Sequence, residues 1–131
     1  MLYIKMKNDD IIFVYGTLMK DMGNDSYLKN SEYLGEGTTY KEYSMYIDIV
    51  IPKVTDTPMY KIKGELYRVS SENMMNIDRL ESKYSKELIS VFNEGTMSKV
   101  DAYIYVWRKS IILSKNVELN KCGIYRKYME D

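Results

Sequence analysis

Near the start of the chain an apolar run passes directly into a glycine turn, in the segment Ile11-Ile12-Phe13-Val14-Tyr15-Gly16-Thr17-Leu18. The first four residues predict a buried strand, since they are apolar and mostly β-branched. Glycine turns the chain without the steric penalty of a Cβ atom, and the amides of such a turn form a concave donor site for a carboxylate or an oxyanion. An ordinary turn after a strand has the same pattern, so both interpretations stay open at this point.

The composition excludes several classes of protein. A chain of 131 residues suits a single domain, which we expect to span residues 1–131 around one core. Lys plus Arg and Asp plus Glu both number 19, so no net basic field attracts nucleic acid or an anionic membrane. No apolar run approaches the roughly 20 residues of a membrane span, and residues 1–10 lack the apolar segment of a secretory signal. We therefore predict a cytoplasmic protein that binds neither nucleic acid nor membranes.

The chain contains no histidine and a single cysteine, Cys122. Ser-His-Asp and Cys-His catalysis require an imidazole, and the usual zinc sites require histidine or several cysteines. Any acid–base chemistry would therefore fall to Glu, Asp, Lys or Tyr. A disulfide within one chain is impossible, and we interpret Cys122 as a structural thiol.

Strand patterns dominate the rest of the chain, and one helix lies among them. After a polar segment at residues 20–30, where Asn24 or Asp25 could cap a short helix, the alternating runs are residues 43–49, 60–69, 88–92 and 100–107. Residues 71–81 predict a helix with Ser70 or Ser71 as its N-cap.

One face of this helix carries a glutamate among apolar residues. At about 100° per residue, Met74, Ile77 and Glu81 fall on the same side, so the carboxylate points toward the body of the protein. Burial of a glutamate is costly and raises its pKa toward the range useful for proton transfer. Two other interpretations stay open: the helix ends near Arg79 and leaves Glu81 solvated, or Glu81 pairs with a nearby lysine. Asp78 lies at the flank of the apolar face and is interpreted as a solvated or helix-pairing acid.

Several short segments, taken in order, resemble the gamma-glutamyl cyclotransferase-like superfamily, and most closely its gamma-glutamylamine cyclotransferase/AIG2-like branch. They are Phe13-Val14-Tyr15-Gly16-Thr17-Leu18, Gly64-Glu65-Leu66-Tyr67, Ile77-Asp78-Arg79-Leu80-Glu81, and then Tyr84 before a strand. The resemblance covers about residues 11–107 and leaves residues 109–131 without an interpretation. It implies an α+β, mainly β fold, in which a few helices surround a small twisted β-barrel.

The resemblance also implies a function. The loop of Tyr15, Gly16, Thr17 and Leu18 would bind the gamma-glutamyl portion of a small substrate, and Glu81 would be the general acid/base. The enzyme would release 5-oxoproline and a free amine from a gamma-glutamyl-amine or gamma-glutamyl-amino acid by intramolecular attack of the α-amine. It would need no metal or organic cofactor and would be a monomer or weak homodimer.

Two alternatives and two departures accompany this expectation. The same pocket could belong to a non-catalytic binding or regulatory module that holds a glutamyl-like ligand, or to an enzyme that removes a gamma-glutamyl protecting group during biosynthesis.

Where the family often has glycine and arginine, this chain has Ser82 and Lys86. Lys86 keeps the charge but loses the guanidinium fork, which puts a structural ion pair there in question. We expect residues 20–30 and 51–59, interpreted as loops, to contact the amine half.

Overall fold

The computed structural model describes residues 10–111 and 116–125 of the chain. Its elements are, in chain order, β1 (Asp10–Val14), a short 3₁₀ helix (Asp25–Leu28), β2 (Glu32–Asp48), β3 (Ile51–Val69), α1 (Ser71–Leu80), β4 (Ser85–Asn93), β5 (Ser98–Val106) and β6 (Val117–Leu119). The long strands dominate, as the alternating runs of the sequence predicted. Among the described residues, no helix is long and apolar enough to cross a membrane.

Five strands close into a barrel. Hydrogen bonding links them in the order β3-β1-β5-β4-β2, and β2 pairs back onto β3. The pairs are antiparallel except for β1 and β5, which are parallel and meet at Ile12 and Tyr103. This arrangement confirms the expected mainly β fold with a small barrel. It leaves β1 between two neighbours, and Ile12, Phe13 and Val14 are all buried.

The hairpin of β2 and β3 is longer than predicted. The interpretation of residues 51–59 as a loop is wrong, because β3 begins at Ile51 and the ladder already pairs Asp48 with Ile51 and Ile47 with Pro52. The register shifts between Thr38 and Glu42, which interrupts the regular ladder within the hairpin. Polar residues and two prolines hid this strand, since proline is ordinarily depleted from paired strands.

The predicted helix is confirmed, and Ser70 rather than Ser71 is its N-cap. Ser70 Oγ accepts a hydrogen bond from the Asn73 amide at 3.2 Å. Met74 and Ile77 are buried against the barrel, as the helical spacing predicted. The helix ends at Leu80, and Glu81 is the C-cap residue whose amide donates to the Ile77 carbonyl at 2.9 Å.

Residues after the last long strand pack on the β2–β3 hairpin. Strand β6 pairs with the end of β2, and the buried Asn120 donates its amide to the Met45 carbonyl at 2.7 Å. The Asn120 side-chain oxygen accepts from the Cys122 amide at 2.9 Å. The Cys122 thiol is free and its residue exposed. The expectation about a secretory signal concerns residues 1–10, of which 1–9 lie outside the described residues.

Candidate functional site

A pocket of about 190 Å³ opens where the end of α1, the turn after β1 and the start of β3 meet. It contains every residue that the sequence singled out for binding and catalysis. Its lining comprises Phe13, Val14, Tyr15, Gly16, Thr17, Leu18, Asn24, Ile51, Pro52, Leu80, Glu81, Tyr84 and Tyr105. Glu81 is the only charged residue in this lining.

The turn after β1 offers backbone donors to the pocket. Within residues 10–111 and 116–125, no protein acceptor takes a hydrogen bond from the amides of Gly16, Thr17 or Leu18. The conformation of the turn is stabilised by its own backbone, because the Gly16 carbonyl accepts a hydrogen bond from the Met19 amide at 3.0 Å. Unoccupied amides at a strand end form a donor site for a carboxylate or an oxyanion.

Asn24 braces this turn, and the sequence missed that role. Its amide donates to the Thr17 carbonyl at 2.8 Å, and its side-chain nitrogen donates to Thr17 Oγ1 at 3.0 Å. Asn24 occupies the N-cap position of a short helix, as predicted, but its side chain makes no capping bond there. Asp25, the other candidate, instead accepts from the Asp21 amide at 3.0 Å. Because Thr17 Oγ1 accepts a bond, its own hydroxyl hydrogen remains a donor.

Pro52 forms the wall opposite the turn. A Cβ atom built on Gly16 would lie 2.4 Å from Pro52 Cγ, closer than any real contact. Glycine at this position therefore allows the turn to approach β3. The hairpin brings Pro52 to the pocket, within the segment 51–59 that was expected to contact the substrate.

Glu81 is partly buried at the end of α1 and faces the same pocket as the turn amides. Burial raises the pKa of its carboxyl to about 7. Among the described residues no hydrogen bond or ion pair to this carboxyl offsets that burial. The helix does end near Arg79, as one alternative supposed, but the side chain lines the pocket, and no described lysine pairs with it.

Tyrosines surround the carboxyl, and each hydroxyl hydrogen is committed elsewhere. Tyr15 donates to the Tyr105 carbonyl at 2.7 Å, Tyr84 donates to the Pro52 carbonyl at 2.9 Å, and Tyr105 donates to Asp78 Oδ1. Burial raises the pKa of all three phenols above the ordinary value, and the nearby Glu81 adds to the rise. The phenols therefore stay protonated, and the oxygens of Tyr84 and Tyr105 can accept hydrogen bonds from a cation, whereas the buried Tyr15 oxygen already accepts from the Val54 backbone.

Asp78 is partly solvated, as predicted, but its hydrogen bonds reach other elements rather than its own helix. It accepts from the Tyr105 hydroxyl and from Lys86 Nζ, the latter at 3.2 Å. Lys86 also lies 4.7 Å from the centre of the Tyr103 ring. The replacement of the family's arginine by lysine therefore leaves an ion pair in place at this position.

The pocket thus presents donors on one side and acceptors on the other. The amides of residues 16–18 suit a carboxylate or a carbonyl oxygen, while Glu81 and the phenol oxygens suit an ammonium group. A small molecule with an amino-acid head group matches both sides. Among residues 10–111 and 116–125, no three Asp, Glu or Cys side chains cluster closely enough to hold a metal ion.

The structure brings Tyr15, Gly16, Thr17, Leu18 and Glu81 to one pocket, but their roles stay predictions. Residues 20–30 and 51–59, which were expected to contact the substrate, contribute Asn24, Ile51 and Pro52 to the lining, whereas sequence reasoning missed Tyr105. Tyr105 lies in a strand pattern that predicted only sheet structure, so its place in the pocket depends on barrel closure.

Comparison with known proteins agrees with the family resemblance and with the fold. A family model described as "Gamma-glutamyl cyclotransferase, AIG2-like" matches residues 12–127, well beyond the segments that carried the resemblance. A protein of Methanocaldococcus jannaschii, named provisionally as a gamma-glutamylcyclotransferase, is 32% identical over 123 residues, which span 91% of this chain and 98% of the relative.

Solved structures with the same fold are more distant in sequence. An AIG2-like protein from Mus musculus superposes with a TM-score of 0.73 at 21% identity, covering 79% of this chain and 80% of its own. A protein from Pyrococcus horikoshii also gives a TM-score of 0.73, at 24% identity, covering 92% of this chain and 93% of its own. With the match of the family model over residues 12–127, the chain belongs to the AIG2-like gamma-glutamyl cyclotransferase family.

Proposed function

We propose that this protein is a gamma-glutamyl cyclotransferase that releases 5-oxoproline and a free amine from a gamma-glutamyl-amine or gamma-glutamyl-amino acid. The observation that carries the proposal is that Glu81 lines the same pocket as Gly16, Thr17 and Leu18, whose amides have no acceptor among the described residues. A single folded substrate would touch both. The names of the relatives support the same class of reaction.

The reaction balances without any external acid or base. The α-nitrogen of the glutamyl group bonds to the γ-carbonyl carbon and closes a five-membered ring, and the bond from that carbon to the amine nitrogen breaks. The α-ammonium loses two protons, and the leaving nitrogen gains two as it departs as an ammonium ion. One carboxyl that accepts and returns protons in turn can therefore serve the whole reaction.

Glu81 is suited to that task because its pKa of about 7 leaves both protonation states populated near neutral pH. As a carboxylate it would take a proton from the α-ammonium, and as an acid it would protonate the leaving nitrogen. The amides of residues 16–18 would stabilise the oxyanion or hold the α-carboxylate. A pocket that excludes water would favour cyclisation over hydrolysis.

The amine half would leave through the mouth of the pocket. Ile51, at the end of the β2–β3 hairpin, is 50% exposed, and Leu80, at the end of α1, is 37% exposed. Both belong to the lining and lie where a substituent on the leaving nitrogen would emerge. Different amines would contact these residues without changing the chemistry at Glu81.

Release of 5-oxoproline from a panel of gamma-glutamyl-amines and gamma-glutamyl-amino acids tests the proposal. Glu81→Gln keeps the shape of the side chain but cannot move a proton, so it should reduce turnover of the best substrate by about 100-fold or more. Glu72→Gln is the matched control, because Glu72 is an exposed glutamate in the first turn of the same helix. It should keep the wild-type rate.

Two outcomes would overturn the proposal. Equal rates for the wild type and Glu81→Gln would remove Glu81 from the acid–base role. If no compound of the panel is turned over while 5-oxoproline binds saturably, the protein is a binding module for a glutamyl-like ligand. Turnover limited to a gamma-glutamyl protecting group on a biosynthetic intermediate would narrow the substrate and leave the chemistry intact.

A further inference from the structure

Tyr105 differs from the other tyrosines of the pocket in what its hydroxyl binds. The acceptors of Tyr15 and Tyr84 are main-chain carbonyls, whose positions the fold determines. The acceptor of Tyr105 is the side chain of Asp78, on the same helix as Glu81 and one turn earlier. Glu81 follows one turn later, and its charge lies close enough to Tyr105 to raise the pKa of the phenol, so this tyrosine interacts with both carboxyls.

Of these two carboxyls the hydroxyl binds only Asp78, and its one other contact among the described residues is a long one to Met74 Sδ at 3.8 Å. Asp78 holds it, and Asp78 is itself held by Lys86 Nζ at 3.2 Å. Glu81 lines the pocket together with Tyr105 and receives no hydrogen bond from the described residues. A phenol that turned to Glu81 would stabilise the carboxylate and weaken its hold on a proton.

We propose that Asp78 is a positioning residue that keeps the Tyr105 hydroxyl directed away from Glu81, so that the Glu81 carboxyl has no protein donor. Lys86 fixes Asp78 in this orientation through the ion pair across from β4. The consequence of this positioning for turnover rests on the proposed cyclotransferase function, since Glu81 moves a proton only in that reaction.

The other groups near Glu81 do not supply a competing donor. Tyr15 and Tyr84 donate their hydroxyl hydrogens to main-chain carbonyls, at 2.7 and 2.9 Å. The titratable groups that interact with Glu81 directly are Tyr15 after β1, Tyr84 after α1 and Tyr105 of β5. Behind them, Asp48 of β2 acts on Tyr84 and pairs with Lys53 of β3 at 3.0 Å, while Asp78 of α1 binds Tyr105 and pairs with Lys86 of β4. Asp78 is the only one of them that binds a pocket hydroxyl through its side chain.

The test is an NMR titration of the Glu81 side-chain carboxyl. Its signal is assigned as the carboxyl signal that is absent from the spectrum of Glu81→Gln. Asp78→Ala frees the Tyr105 hydroxyl and should lower the pKa of Glu81 by about one pH unit. Because this variant also removes a negative charge and releases Lys86, Asp78→Asn is the matched control: it removes the charge but keeps an acceptor for Tyr105. It should produce a clearly smaller change.

Tyr105→Phe completes a double-mutant cycle. In that background Asp78→Ala should no longer produce its full effect, because no hydroxyl remains to reach Glu81. An effect of Asp78→Ala that persists unchanged with Tyr105→Phe would show that charge alone is responsible and would overturn the proposal. The Asp78 side chain is 42% exposed, so its substitution should leave the fold intact.

The single variant Tyr105→Phe decides the question even if Asp78→Ala does not fold. The proposal requires that it leave the pKa of Glu81 unlowered and essentially unchanged, because the hydroxyl does not bind Glu81 in the wild type. A rise would mean that Tyr105 already donates to Glu81, which would overturn the proposal. If the NMR titration follows the expected pattern but the pH profile of 5-oxoproline release does not, the proposed function fails and the role of Asp78 stands.

Discussion

Replacement of Glu81 by glutamine should raise the free energy of unfolding relative to the wild type at alkaline pH. At acidic pH the gain should be smaller. Burial raises the pKa of Glu81 to about 7 from an ordinary value of 4.5. Between these two values the folded protein holds a proton that the unfolded chain has already released. The stability of the wild type relative to Glu81→Gln is therefore complete below the unfolded pKa and falls as pH rises through the folded one.

The size of the effect follows from the two pKa values. Each factor of ten in proton affinity corresponds to about 1.4 kcal/mol, so the interval from 4.5 to about 7 gives roughly 3 kcal/mol in the free energy of unfolding. This is an upper bound, because the carboxyl is only partly buried and water in the pocket screens its charge. We expect the advantage of Glu81→Gln to grow by about 1–3 kcal/mol from about pH 4.5 to about pH 8.

Urea denaturation at a series of pH values measures this difference directly. The free energy of unfolding is compared for the wild type and Glu81→Gln at each pH, so the pH dependence of all other groups cancels. Glu72→Gln serves again as the matched control, and its curve should run parallel to that of the wild type. No substrate is required, so the measurement is independent of the proposed function.

Parallel curves for the wild type and Glu81→Gln across this pH range would refute the reasoning. They would mean that the Glu81 carboxyl has the same proton affinity in the folded and unfolded states. The carboxyl would then be well solvated or hydrogen-bonded, contrary to its place in the pocket wall. A growing advantage of the wild type at high pH would have the wrong sign and would be equally decisive.

Two further substitutions test the packing around the site. Gly16→Ala should lower the free energy of unfolding by about 1–3 kcal/mol in urea denaturation, because the added Cβ would lie 2.4 Å from Pro52 Cγ; an unchanged midpoint would contradict the close approach. Ser70→Ala should lower it by about 1 kcal/mol through loss of the bond to the Asn73 amide, whereas Ser71→Ala should have little effect; equal losses would remove Ser70 as the cap.

Local patterns were sufficient to predict the helix and its inward-facing acid. The spacing of Met74, Ile77 and Glu81 places them on one face of any α-helix, so this prediction does not depend on the tertiary structure. The apolar run into Gly16 likewise predicted a strand and a turn with free amides. These features depend on residues close together in the sequence, where steric and periodic rules apply directly.

The surroundings of the acid could not be predicted from such rules. Tyr105 meets Asp78 across 27 residues, and Pro52 meets Gly16 only after the long hairpin has formed. Both contacts depend on barrel closure, including the parallel pairing of β1 with β5. Asp78 was interpreted as a solvated or helix-pairing acid for the same reason. It lies at the flank of the apolar face of α1, and its partners, Tyr105 and Lys86, lie on strands β5 and β4.

The location of Glu81 on α1 contributes to its chemistry beyond burial. A helix has a partial negative charge at its C-terminal end, where an added anion is disfavoured by about 0.3–1 kcal/mol. Glu81 is the C-cap residue, whereas Glu72 lies in the first turn, where the same dipole favours a carboxylate. The helix therefore performs two functions for Glu81, because it directs the side chain into the pocket and disfavours loss of its proton there.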